Sequence, residues 1–198
     1  MVTGLDKRLK PWETKEGIAI WGGGKKDPKV GYFNWIRGSL RRALWSDYPI
    51  RSEWKKSQLR KVTAEERAAK TFHPSTKAVG ACTYCNEWFA QSKLECDHIH
   101  SSDGCKSEEE AEKFLWYCAG GTGVDWCLSC VPCHKIKTFS ERQGMSFEEA
   151  CVTKKVIALE KDKKVMQWFA ERDIVPESNA KRRRAQMVEI LMEETYGK

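Results

Sequence analysis

The sequence predicts an α+β fold in which a small, cysteine-stapled centre sits between N- and C-terminal helices, and three observations carry that prediction. Two C-x-x-C pairs, Cys82-Thr-Tyr-Cys85 and Cys130-Val-Pro-Cys133, bracket the middle of the chain. On both sides of them apolar residues recur at helical spacing behind Ser or Thr residues that can cap a first turn. Charge is divided unevenly: residues 1–80 hold 18 Lys and Arg against 8 Asp and Glu, residues 81–140 hold 5 against 9, and residues 141–198 hold 12 against 11. A basic flank beside an acidic, cysteine-rich centre suits a polyanion-binding arm attached to a cation-binding site.

A chain of 198 residues is long enough for one real core and too short for two large domains. Nine cysteines would fit a secreted disulfide scaffold, but residues 1–15 are polar and charged, without the apolar run of a signal peptide, so a reducing, cytoplasmic setting is expected. The mean hydropathy is −0.64, and no stretch reaches the roughly 18 to 20 apolar residues of a membrane span. No membrane partner is expected.

Taken in order, residues 1–30 carry few periodic apolar positions and include Gly22-Gly23-Gly24-Lys25-Lys26, which reads as a flexible or irregular basic arm. Residues 31–79 read as a basic helical leader. Within it Phe33, Ile36, Leu40 and Leu44 line one helical face, while Arg37, Arg41 and Arg42 fall largely elsewhere. Pro49 marks a break, Ser52 can cap a second helix to Val62, and Thr63 with Glu66 forms a capping box for a third. Residues 80–145 form the predicted core, with a metal knuckle and strand over 80–99 and a helix opened by Ser107 and Glu110. Gly120-Gly121-Thr122-Gly123 lacks the Gly-Lys-Ser/Thr ending of a phosphate loop and reads as a turn. Residues 146–198 complete the chain with a helix capped at Ser146 and two more over 162–172 and 179–194.

Two C-x-x-C turns can each offer two thiolates to one tetrahedral ion, the arrangement structural zinc prefers. Cys82, Cys85, Cys130 and Cys133 are therefore the candidate zinc ligands, with Cys127 an alternative because it stands before Cys130 at similar spacing. Cys96, Cys105, Cys118 and Cys151 read as small buried residues. The nine tryptophans read most simply as packing groups, with stacking on nucleobases as their other use. His73, before Pro74, has no setting that implies a role.

Between and just after the cysteine pairs lie Cys96-Asp97-His98-Ile99 and Cys133-His134-Lys135-Ile136-Lys137-Thr138. With Cys82 and Cys85 these segments resemble the HNH, or ββα-metal, endonuclease family, whose pattern runs C-x-x-C, an Asp-His-Ile strand end, an Asn-containing segment, then C-x-x-C-H-x-x-K. The resemblance implies a central ββα-metal motif stapled by zinc and a hydrolase that cleaves DNA phosphodiester bonds to 5′-phosphate and 3′-hydroxyl ends. It makes Asp97 and His134 ligands of a catalytic Mg²⁺ or Mn²⁺ ion and His98 the base that activates water. Residue chemistry agrees, because phosphodiester hydrolysis needs a base near neutral pKa and a cation at the departing oxygen. Asp125 stands where the family carries its loop-bracing Asn and can accept the same backbone hydrogen bonds. His100, one strand period after His98, is a competing base.

Outward from the core, residues 36–45 and 48–51 look like the helical leader of bacteriophage-encoded HNH proteins, and residues 179–184 look like their C-terminal helix. This implies phage origin, action in a host cytoplasm and DNA as the partner. Candidate phosphate contacts are Arg37, Arg41, Arg42, Lys55, Lys56, Arg182, Arg183 and Arg184. Two rival readings are a non-catalytic zinc-ribbon DNA-binding protein and a packaging partner whose nuclease motif has degenerated at Asp125. The sequence leaves open the oligomeric state and the choice between nicking and double-strand cutting.

Overall fold

The computed structural model describes residues 8–23, 27–102 and 104–197, and among them the chain forms nine α-helices and two small antiparallel sheets. At the N-terminal end, α1 (Lys15–Gly22) packs on α2 (Pro28–Leu40). A Cβ on Gly31 would lie 2.2 Å from the Trp21 carbonyl oxygen, so glycine is what lets the two helices approach this closely. The arm expected to be irregular over 1–30 is thus helical over much of its described length; residues 1–7 and 24–26 fall outside the described residues. Eight residues with two glycines give little helix propensity of their own. Capping and aromatic packing compensate: the Thr14 hydroxyl accepts from the Gly17 N–H, Trp12 lies 5.0 and 5.2 Å from the Tyr32 and Phe33 rings, and Trp21 meets Tyr32 edge-on at 5.0 Å.

Asp27 caps α2, with Pro28 in the first turn, so the helix starts earlier than its apolar stripe implies. It continues into a wider turn, Arg41–Trp45, which carries Trp45 into the core. The break expected at Pro49 falls over residues 46–48, and Pro49 rather than Ser52 opens the next helix, α3 (Pro49–Ser57), because its missing N–H costs nothing at a helix start. That helix also stops short of Val62; Arg60–Lys61 instead forms β1. Both hydrogen bonds of the Thr63–Glu66 capping box are made at the start of α4 (Ala64–Ala68).

β1 pairs with β2 (Ala78–Ala81), and β2 with β3 (Trp88–Ala90). The second sheet joins β4 (Leu94–His98) to β5 (Trp126–Cys130), with Leu94 opposite Cys130, Asp97 opposite Cys127 and His98 opposite Trp126. Between these strands, α5 (Glu108–Ala119) is capped by the Ser107 hydroxyl. α6 (Val131–Gln143) follows β5 without a loop, so the order here is strand, insertion, strand, helix.

Phe33, Trp45, Phe114 and Trp126, with the buried thiols Cys96, Cys105 and Cys118, form the core under α2 and α5. Leu94, Leu128 and three of the paired cysteines form a second cluster beside the knuckle. α7 (Phe147–Lys161), α8 (Val165–Ala170) and α9 (Ala180–Tyr196) close a third around Val156, Trp168, Phe169 and Met187. α8 is shorter than the expected 162–172 because Lys163 adopts φ 59°, which ends one helix before the next begins. Among the described residues no helix is long and apolar enough to cross a membrane.

Candidate functional site

The two C-x-x-C turns converge. The sulfurs of Cys82, Cys85, Cys130 and Cys133 all lie within 4.8 Å of one another. Bonds of about 2.3 Å to a tetrahedral zinc set sulfur–sulfur edges of about 3.8 Å, so this quartet can hold a structural metal ion such as zinc. The first turn is tied to the second strand by the Thr83 N–H, which donates to the Leu128 carbonyl at 2.8 Å, while the Cys130 N–H donates to the Cys82 sulfur at 3.3 Å. Burial raises the Cys82 thiol, but backbone N–H groups of Cys130, Cys85 and Tyr84 outweigh it and bring the group down to about 7. Burial and the neighbouring thiols push Cys133 the other way, a cost that a bound cation removes. Cys127 lies outside the quartet: it is buried beneath the Tyr84 hydroxyl, 3.7 Å from its sulfur. All nine cysteines are free of disulfides.

Asp97, His98 and His134 line one cleft of about 380 Å³, at the junction of β4 and α6. Glu95 and Asp97, two apart on β4 and hence on one strand face, both reach His134. The Glu95 carboxylate contacts His134 Nδ1, and Asp97 Oδ2 lies 3.4 Å from His134 Nε2. With the Nδ1 proton given to Glu95, Nε2 turns a lone pair toward a carboxylate oxygen, which is stable only when a proton or a metal ion fills the space between. Two ligand atoms about 2.1 Å from an octahedral cation and at right angles stand about 3.0 Å apart, against 3.4 Å for this pair, and the Lys137 ammonium meets the same Asp97 oxygen at 3.1 Å.

His98 is 5 % exposed and lies between two rings, 4.1 Å from Trp45 and 3.8 Å from Tyr117. Its Nε2 pairs with the Tyr117 carbonyl at 2.8 Å, and since a carbonyl only accepts, Nε2 carries the proton and Nδ1 holds the lone pair. Burial lowers the pKa of His98 below the ordinary histidine value, partly offset by this hydrogen bond. His100 is exposed and does not line the cleft; its backbone carbonyl accepts from the Tyr117 hydroxyl at 2.9 Å. Asp125 closes the mouth of the β4–β5 pair through its main chain, where its carbonyl accepts from the Ile99 N–H at 2.7 Å. The expected bracing by its carboxylate is not made among the described residues. A carbonyl does the work that the sequence assigns to a side chain.

The basic candidates divide. Arg37 and Arg41 line the cleft, and Arg41 with Lys55 lines an adjoining one that shares Asp97 and His134. Lys55 also donates to the Leu94 carbonyl at 2.6 Å. Arg42 lines neither cleft, and Lys56 pairs with Glu53 on the outer surface. On α9, Arg184 is tied to Glu160, Arg183 donates to the Glu177 and Ser178 carbonyls, and Arg182 is exposed away from both clefts.

Three further residues belong to the site. Glu95 orients His134. Lys137 is buried, 3.1 Å from Asp97 Oδ2 and 2.6 Å from a Glu141 oxygen. Burial lowers its pKa, but Glu141 and Asp97 more than reverse this and hold the ammonium charged. The spacing Glu95-x-Asp97 on a strand, and His134-x-x-Lys137 on a helix, were the available signals. Family models, curated proteins and solved structures were each compared with the chain, and none matches it.

Proposed function

We propose that the protein is a metal-dependent endonuclease of the HNH type that hydrolyses phosphodiester bonds in DNA. The observation that carries this reading is the meeting of an oriented lone-pair histidine, His98, with the facing Asp97 and His134 ligand atoms in one cleft rimmed by Arg37 and Arg41. Asp97 and His134 would hold Mg²⁺ or Mn²⁺; such an ion, when bound, supplies charge stabilisation at the departing oxygen.

The remaining work falls to the chain's own groups. His98 Nδ1 takes the proton of the attacking water, with Nε2–H anchored on the Tyr117 carbonyl so that the tautomer is fixed. Its lowered pKa keeps it unprotonated at neutral pH. Glu95 fixes the ring of His134, and Lys137 fixes the Asp97 carboxylate. Arg37 and Arg41 offer charge to the flanking phosphates. The cysteine quartet sits at the start of α6, so a zinc ion there would fix the turn that delivers His134 through Cys133. The reading also carries phage origin, with action in the host cytoplasm, as the resemblance of the helical flanks implies.

Incubating the full chain with supercoiled plasmid tests this. Open-circle or linear product in Mg²⁺ and none in EDTA supports the reading. DNA that is bound but intact under every metal tried overturns it in favour of a zinc-ribbon binding protein.

A further inference from the structure

A further pocket also borders His98, with a volume of about 370 Å³, lined by His100, Trp116, Tyr117, Gly121, Asp125 and Trp126 among others. Its character differs from the cationic cleft, since its walls are mostly aromatic and its charged group is a carboxylate. Trp116 is 62 % exposed, an unusual position for the largest apolar side chain. Trp126 is 4 % exposed, and its Nε1–H is buried without a hydrogen-bond partner. Gly121 packs directly on that edge: a Cβ there would lie 2.8 Å from Trp126 Nε1, so the glycine closes over the indole N–H. The Asp125 side chain remains available, because that residue's loop contact is made by its main-chain carbonyl.

Aromatic faces and an acceptor-only carboxylate match a planar heterocycle that carries N–H donors. Phosphates do not suit a pocket whose charged group is Asp125. Because His98 lines both this pocket and the cationic cleft, whatever occupies the pocket adjoins whatever phosphate occupies the cleft. We propose that the pocket takes an unpaired nucleobase next to the phosphate in the cleft, which makes the substrate DNA with an unstacked base at a bulge, gap or branch rather than continuous duplex. This rests on the nuclease reading above. A base that is already unpaired escapes the unstacking cost that a duplex base must meet.

The test uses the full chain without Mg²⁺ and two labelled oligonucleotide duplexes, one fully paired and one with a single bulged 2-aminopurine. Stacking on an indole is worth about 5- to 150-fold in affinity. The bulged duplex should therefore bind about tenfold or more tightly, with its 2-aminopurine emission quenched. Trp116→Ala, at an exposed position, should leave the paired duplex unchanged while losing both the preference and the quenching. Asp125→Asn should lower the preference with quenching retained. Equal binding of the two duplexes by the unaltered protein, or a Trp116→Ala variant that keeps the preference, overturns the base pocket and leaves the nuclease reading standing. Binding of neither duplex overturns both.

Discussion

Replacing His98 separates its chemistry from its packing, and the structure says how large each effect is. The ring is 5 % exposed, lies 4.1 and 3.8 Å from two aromatic rings, and satisfies the Tyr117 carbonyl. Truncation to Ala removes a ring-sized volume and orphans a buried acceptor, which together cost about 3 to 5 kcal/mol. Against a total stability of about 5 to 15 kcal/mol, that loss obscures any rate measurement. His98→Gln keeps an N–H donor at nearly the same reach as Nε2 and should cost about 2 kcal/mol. It offers no basic nitrogen, so its cleavage rate should fall about 100- to 10,000-fold while DNA affinity and zinc content hold. Initial rates of plasmid nicking, beside thermal melting and DNA binding, give the three quantities. Wild-type cleavage should rise with pH as the imidazole loses its proton, with its midpoint below the ordinary histidine value because burial favours the neutral form. The same shift makes stability fall as pH drops through that region, since the unfolded chain takes up the proton first. A folded His98→Gln variant that cleaves at the wild-type rate refutes the assignment.

Three other outcomes follow from the geometry. Cys130→Ser removes a member of the sulfur quartet and should lower the melting temperature by about 4 to 16 °C, as about 2 to 4 kcal/mol of metal-linked stability is lost; Cys127→Ser should retain one zinc per chain by elemental analysis, and zinc loss there would move the ligand set. Glu95→Ala frees His134 Nδ1 and should weaken Mg²⁺ dependence about 10- to 100-fold without changing the zinc content, read as the Mg²⁺ concentration for half-maximal rate. Replacing Arg37 and Arg41 together should flatten the salt dependence of DNA binding by about two units of slope, whereas replacing Arg183 and Arg184, already bound to carbonyls and to Glu160, should leave the slope unchanged.

The cysteine quartet and the cleft trio were legible because their spacing is local chemistry: C-x-x-C turns, Asp97-His98 at a strand end and His134 beside Cys133. The capped helices at Thr63, Ser107 and Ser146 were legible for the same reason, since a hydroxyl that accepts a first-turn N–H is a short-range event. α1 was not, because its stability comes from Trp12 and Trp21 packing on a helix further along the chain. The break at Pro49 was legible, but the next helix was expected to open at Ser52, a good capping residue, whereas the proline itself sits in the first turn. Glu95 escaped notice, and Lys137 was seen only as the Lys of the H-x-x-K pattern, because each gains its role only when β4 and α6 meet. Asp125 shows the opposite limit, since side-chain matching cannot foresee a loop held by a main-chain carbonyl.

The most direct test is the Mg²⁺ dependence of plasmid cleavage by the zinc-loaded wild type, with Asp97→Ala and His98→Gln measured in parallel. The proposed function places the cation between Asp97 and His134, 3.4 Å apart, and the proton transfer on His98, so the two variants should fail differently. Asp97→Ala should need far more Mg²⁺ and recover part of its rate at high concentration, whereas His98→Gln should keep the wild-type Mg²⁺ midpoint at a rate that no concentration restores. Cleavage that is indifferent to Mg²⁺, or an Asp97→Ala variant with the wild-type midpoint, contradicts the account.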